Sequence, residues 1–145
     1  MISKRWLFLI FTFMGAILLA ACSSSGIGSS YAGELPSYVS RAPQTVQTAY
    51  HFAIEHPEML THQPCYCGCG AMGHANNLNC FIQSVDEGGT ITFDNHASGC
   101  GICVDIALDV KRLSEEGRSQ LEIRHYIDAT YGSFGPSTDT AMPEV

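Results

Sequence analysis

The stretch HQPCYCGCG, residues 62–70, places three cysteines on alternate positions. In an extended chain, alternate side chains point the same way and lie about 7 Å apart. A disulfide within such a run needs strained geometry and removes little loop entropy. The thiols of Cys65, Cys67 and Cys69 therefore either pair with cysteines elsewhere in the chain or bind a ligand.

More donors of the same chemistry follow this run. His74 and Cys80 extend the first group, and a second group combines His96, Cys100 and Cys103. A spacing of three residues puts Cys100 and Cys103 on one side of a helix, one turn apart. The candidate metal ligands are Cys65, Cys67, Cys69, His74, Cys80, His96, Cys100 and Cys103.

These donors favour a soft metal ion. Thiolates and imidazoles suit copper(I), zinc or iron–sulfur clusters rather than calcium or magnesium. We rank copper first and zinc second. Iron–sulfur comes third, because an exported protein is a poor host for an iron–sulfur cluster. Eight donors exceed the four that one tetrahedral ion needs. They predict either two ions or one thiolate-bridged cluster.

Two other functions remain open. The six cysteines could form three disulfides, in one of 15 connectivities, and make a rigid interaction module. Alternatively, Cys100 and Cys103 could exchange electrons or disulfides, although such pairs normally follow a strand of a βαβ fold. The chain lacks a readable Ser–His–acid or paired-carboxylate spacing, so we expect a binding protein rather than an enzyme.

The N-terminus is typical of an exported lipoprotein. Lys4 and Arg5 precede a continuous apolar stretch, and small residues lead to Cys22. This pattern predicts a signal peptide over residues 1–21 and a lipid on Cys22. Residues 22–41 are rich in Ser and Gly and predict a flexible tether. We therefore expect an extracytoplasmic protein anchored to the cell membrane, in a compartment that permits disulfides.

The charge limits the partners. The net charge of −7 becomes −9 once Lys4 and Arg5 leave with the signal peptide. A strongly acidic domain does not bind nucleic acid by attraction to phosphates. The expected partners are the membrane, through the lipid on Cys22, and a protein that receives or supplies the metal.

Periodicity predicts a mainly α fold of about four helices around an irregular Cys-rich loop. The first runs from Pro43 to about His56, and the third begins at a Ser98 cap and ends at Gly117. The fourth starts with the capping-box pattern Ser119-Gln120-Leu121-Glu122 and closes at Gly132. For the second, Leu78, Phe81, Ile82 and Val85 favour a short helix capped by Asn76 or Asn77. The alternative is a hairpin that pairs 81–85 with 90–93.

These elements make one small domain over residues 42–134. A domain of this size has a small core and often relies on disulfides or metal ions. The tail, residues 135–145, contains Pro, Ser, Thr and Asp, and is predicted to be flexible.

One short motif is similar to a known family. Pro64-Cys65-Tyr66-Cys67-Gly68-Cys69 resembles the signature of the PCYCGC-motif proteins, a bacterial group of mostly exported lipoproteins. The later segments around His74, Cys80, His96 and Cys100–Cys103 are also similar to that family, so the likeness covers roughly residues 43–132. It implies an extracytoplasmic Cys-rich domain with a suspected role in metal binding, and it implies no particular reaction.

Overall fold

A computed structural model describes residues 33–144. The predicted signal peptide, the lipidation site Cys22 and most of the tether lie outside these residues. Within the described part, none of the helices is long and apolar enough to cross a membrane.

The described chain is mainly α-helical, as predicted. It contains a two-stranded antiparallel sheet and two short 3-10 turns, Cys69–Met72 and Asn77–Cys80. The elements are α1 Ser37–Ser40, α2 Gln44–Glu55, α3 Pro57–Thr61, β1 Ile82–Val85, β2 Ile91–Phe93, α4 His96–Gly99, α5 Gly101–Glu115 and α6 Gln120–Tyr131.

Helix α5 forms the centre of the fold, since it packs against both α2 and α6. Its apolar stripe is buried, with Ile106, Ala107 and Val110 fully covered. Tyr50 of α2 is also fully buried, and its hydroxyl donates to the backbone oxygen of Asp94 at 2.7 Å. This contact ties α2 to the segment that leads into α4.

Helix ends follow the predicted signals in several places. Gly117 adopts a φ of 80°, the left-handed conformation that glycine accepts without strain after a helix. The Ser119 side chain accepts from the backbone N–H of Glu122, and the Glu122 carboxylate accepts from the backbone N–H of Ser119. The predicted capping box of α6 is therefore confirmed.

The prediction of a helix over 78–85 was wrong, and the hairpin is correct. Strand β1 pairs with β2 in the register Val85 to Ile91, Ser84 to Thr92 and Ile82 to Phe93, with an irregularity between Ile82 and Ser84. The Asp86 carboxylate accepts from the backbone N–H groups of Gly88 and Thr90, which closes the turn. Asn76 does cap a helical segment, but only the 3-10 turn that precedes the hairpin.

Ser98 does not cap the long helix. Its hydroxyl donates to the backbone oxygen of Asn95 at 2.7 Å, within the separate short helix α4. The break falls at Cys100, whose extended backbone (φ −121°, ψ 103°) precedes α5. The long helix therefore starts three residues after Ser98, at Gly101, and no side chain caps it.

Packing extends beyond both predicted boundaries of the domain. Val39, in α1, is fully buried although it lies in the predicted tether. Thr138 is buried although it lies in the predicted flexible tail. A segment without helix or strand still packs when its polar groups meet buried partners, and composition does not reveal such partners.

Candidate metal centre

The start of the cysteine run is held by contacts to distant segments. The backbone N–H of Asn77 donates to the Gln63 carbonyl at 2.8 Å, just before the run. The Cys65 N–H donates to the Thr138 hydroxyl at 2.9 Å, and the Thr138 N–H donates to the Cys65 carbonyl at 3.0 Å. The backbone around Cys65 is therefore paired with the C-terminal tail.

The run is bent rather than extended, and the expectation of thiols about 7 Å apart was wrong. The sulfur atoms of Cys65 and Cys67 lie 3.3 Å apart. Gly68 follows with a φ of 84°, which turns the chain into the 3-10 turn Cys69–Met72, and Gly73 has a φ of 91°. Glycine takes these conformations at little cost, so the chain folds its three thiols inward.

Helix α5 brings Cys103 to the same point. The Cys103 sulfur lies 3.3 Å from that of Cys65 and 3.6 Å from that of Cys67. The Nε2 atom of His96, on α4, lies 3.2 Å from the Cys67 sulfur. The break at Cys100 between α4 and α5 places a further thiol beside them.

The other cysteines complete the cluster on its inner side. The Cys69 and Cys80 sulfur atoms are 3.7 Å apart, and His74 Nδ1 lies 3.5 Å from the Cys80 sulfur. The 3-10 turn Asn77–Cys80 carries Cys80, and its Asn77 amide donates to the Cys103 carbonyl at 3.3 Å. Asn77 thus joins the turn to α5.

The two sequence groups therefore form one centre. Its donor atoms fall into four sets in which all atoms lie within 4.8 Å of one another. The sets are Cys67, His96, Cys100 and Cys103; Cys65, Cys67 and Cys69; Cys65, Cys80 and Cys103; and Cys69, Cys80 and His96. A tetrahedral ion with bonds of about 2.3 Å to sulfur holds its ligand atoms about 3.8 Å apart. The clustered Cys and His side chains could therefore hold a metal ion.

Burial varies across the centre. Cys65, Cys69, Cys80 and Cys103 are buried, at no more than 1% exposure. In contrast, Cys67, His96 and Cys100 are half-buried. The centre thus has a closed inner part and a partly open outer part.

His74 lies beside the cluster, outside all four donor sets. Its Nε2 atom faces the Asp94 carboxylate at 3.6 Å, while Nδ1 faces Cys80. The Asp94 carboxylate also accepts from the His96 backbone N–H at 2.8 Å. The ring that Asp94 approaches is that of His74.

The thiols influence one another's ionisation. The pKa of Cys65 is lowered, chiefly because Cys103 and then Cys80 donate to its thiolate. The same contact with Cys65 raises the pKa of Cys103. Burial raises the pKa of both Cys67 and Cys69. One thiolate thus suppresses ionisation of its neighbours, and an ion that binds several thiolates must displace protons.

No disulfide links the cysteines of the described residues. All six, Cys65, Cys67, Cys69, Cys80, Cys100 and Cys103, are free thiols. The disulfide-stapled alternative therefore has no bridge to support it within residues 33–144.

Sequence reasoning missed several residues that position the centre. Thr138 holds Cys65, and Arg124 donates to the carbonyls of His62, Thr140 and Ala141, which ties the tail to the start of the run. The Tyr66 hydroxyl donates to the Asp128 carboxylate at 2.6 Å. The sequence did contain one signal of these contacts: Arg124 lies within the apolar face of α6, and a buried arginine needs partners.

Fold and site together define a small, mainly α, Cys-rich protein with clustered Cys and His side chains that could bind metal. More particularly, the chain belongs to the family described as "Protein of unknown function with PCYCGC motif", whose model matches residues 23–143. The resemblance seen in the motif is thereby confirmed, and the match extends beyond the motif at both ends.

Other comparisons give no further relatives. Neither a search of curated proteins nor a search of solved structures finds a match. The function must therefore be argued from the centre itself.

Proposed function

We propose that this protein is an extracytoplasmic, lipid-anchored protein that binds copper(I) for storage or delivery, with zinc as the second choice. The proposed ligands are six thiols and one imidazole: Cys65, Cys67, Cys69, Cys80, Cys100, Cys103 and His96. His74 is proposed as a close partner of Cys80 rather than as a primary ligand.

One observation carries this proposal: free thiols from three separate segments meet at sulfur–sulfur distances of 3.3–3.7 Å. An ordinary core has no need to gather thiols, because apolar side chains fill space without bringing ionisable groups together. Metal coordination explains this arrangement, since clustered thiolates are soft donors that bind metal ions with high affinity.

The donor composition supports copper(I) over zinc. Zinc in structural sites takes four ligands, and the only four-membered set within residues 33–144 is Cys67, His96, Cys100 and Cys103. The remaining buried thiols would then have no role. Copper(I) accepts two or three thiolates, so the three-membered sets suit it as well.

The anchor supports a role outside the cytoplasmic membrane. A lipid on Cys22 and a Ser/Gly tether would hold the domain near the bilayer while allowing it to reach a partner. The half-buried outer donors would allow ligand exchange with a metal-delivery protein. The acidic charge favours cations over nucleic acid as cargo.

The test uses the full chain with Cys22→Ser, so that only the clustered thiols are counted. The protein is purified without oxygen, and free thiols, copper and zinc are measured together. We expect copper(I) to bind in competition with a chromophoric chelator and to block thiol labelling. Free thiols that label fully in the presence of copper would contradict the proposal.

A matched pair of variants locates the site. Cys67→Ser removes a donor shared by two of the four sets, so copper affinity should fall by at least about tenfold. Met72→Leu removes a thioether that is 57% exposed and should leave affinity unchanged. Equal affinity in both variants would exclude the run as a primary ligand set.

Thiol–disulfide exchange is the second candidate, and one contact favours it. Cys65 and Cys103 have adjacent sulfur atoms, so an external disulfide could oxidise these two thiols to one disulfide while being reduced to two thiols. The sulfur atoms of the predicted pair, Cys100 and Cys103, lie within 4.8 Å of each other. Redox titration followed by peptide mapping would distinguish the pairs, and a chain that stays reduced in an oxidising glutathione buffer would exclude exchange.

A further inference from the structure

The four donor sets share residues, and this overlap indicates more than the binding of a single ion. Cys103 belongs both to the outer set with Cys67, His96 and Cys100 and to the inner set with Cys65 and Cys80. Its sulfur lies 3.6 Å from that of Cys67 in the outer set and 3.3 Å from that of Cys65 in the inner set. A thiolate that two donor sets share is placed to bridge two ions.

From this we infer that the centre is dinuclear: the Cys103 thiolate bridges an outer copper(I) ion and an inner one. The inference rests on the proposed function. The outer ion is held by Cys67, His96 and Cys100 with Cys103, and the inner ion by Cys65 and Cys80 with Cys103.

A single ion leaves the arrangement unexplained. If one ion took the outer set, Cys65, Cys69 and Cys80 would remain buried together without a ligand. If one ion took the inner set, the outer donors would lie within 4.8 Å of one another for no reason. Two ions use both sets, and Cys69 lies beside the inner set, with its sulfur 3.7 Å from that of Cys80.

The two positions differ in access. The inner donors Cys65, Cys80 and Cys103 have no exposed surface. Three of the four outer donors are half-buried. An ion at the outer position therefore exchanges with solvent or a partner, while the inner ion is enclosed and leaves only after the outer one or after local opening.

The first experiment is a stoichiometric titration of the full Cys22→Ser chain with copper(I) in the presence of a chromophoric chelator. Two ions per chain are expected, removed by excess chelator in a fast and a slow phase. A plateau at one ion, with the inner thiols still open to labelling after denaturation, would overturn the dinuclear inference and leave copper binding intact. A chain that takes up no copper would overturn both.

Two double variants separate the positions. His96→Ala with Cys100→Ser removes half of the outer donors and should leave one ion that is released slowly. Cys65→Ser with Cys80→Ser removes two of the three inner donors and should leave one ion that is released quickly. Retention of both ions by either variant would contradict the assignment.

A measurement on the unaltered centre tests the inference even if the variants misfold. Copper X-ray absorption of the loaded full chain should show sulfur in the first shell and a copper–copper scattering path at a thiolate-bridged distance. Two bound ions without such a path would overturn the bridging role of Cys103.

Discussion

The sulfur atoms of Cys65 and Cys103 lie 3.3 Å apart, although 38 positions separate them in the chain. This contact joins an irregular loop to the central helix α5. Neither segment by itself supplies all the donors of the centre. Assembly of the centre therefore depends on the fold, and the fold should respond when the centre is filled.

Metal loading should stabilise the folded chain. Because the donors come from separate segments, an ion binds the native state and not the unfolded one. At free copper(I) about 1,000 times the dissociation constant, the gain is about 4 kcal/mol. Thermal unfolding of the Cys22→Ser chain, followed by circular dichroism, should shift upward on loading and return on chelation. A melting temperature that does not respond to copper would contradict native-state binding.

Gly68→Ala should weaken the centre. Gly68 has a φ of 84°, and a side chain there costs about 1–2 kcal/mol from backbone strain even though no atom obstructs it. Both the free energy of unfolding and copper affinity should fall.

Gly70→Ala is the matched control for that change. Gly70 does not have a positive φ, and an added Cβ would meet only the Thr138 Cγ2 atom at an ordinary 3.8 Å. Denaturant unfolding and copper competition on both variants check the prediction, which fails if the two alanines have equal effects.

Thr138→Val should destabilise the cysteine run, although Thr138 lies in the C-terminal tail. Valine keeps the shape of threonine but removes the oxygen that accepts from the Cys65 N–H. A buried donor without a partner costs about 1–3 kcal/mol. Urea unfolding should therefore show a loss of this size, with faster hydrogen exchange at Cys65.

Thr130→Val provides the comparison for Thr138, because Thr130 lies exposed on α6. Exposed substitutions of this kind change stability by about 0.5 kcal/mol or less. If the tail did not hold the loop in solution, Thr138→Val would behave like Thr130→Val.

His96→Ala and His74→Ala should differ in their effect on copper affinity. His96 belongs to two donor sets, whereas His74 lies outside all four and contacts Cys80 and Asp94. Loss of a neighbouring partner should cost about 10–100-fold in affinity, and loss of a ligand should cost more. Chelator competition measures both, and equal losses would place His74 among the ligands.

Sequence reasoning succeeded where local rules decide the structure. The apolar stripe of α5 and the capping box of α6 depend on residues three and four positions apart, so periodicity and capping chemistry predict them. It was wrong where two local structures compete. Leu78, Phe81, Ile82 and Val85 fit a helical face, yet the Asp86 turn and pairing with β2 make 82–85 a strand.

The geometry of the cysteine run was wrong for a related reason. Side chains at alternate positions point the same way, about 7 Å apart, only if the backbone is extended. Gly68 bends the chain immediately after Cys67, and the Thr138 contact holds the backbone of Cys65 from 73 positions away. Nothing within the run itself indicates that partner.

The sequence by itself determined the donor chemistry, the long helices and membership of the PCYCGC-motif family, because each is a property of residue identity and short-range spacing. Only the tertiary structure decided that two donor groups form one centre, that Cys103 belongs to both the outer and the inner set, and that the tail holds Cys65. These relationships depend on contacts between distant segments, and such contacts are set by the packing of the whole chain rather than by any local pattern.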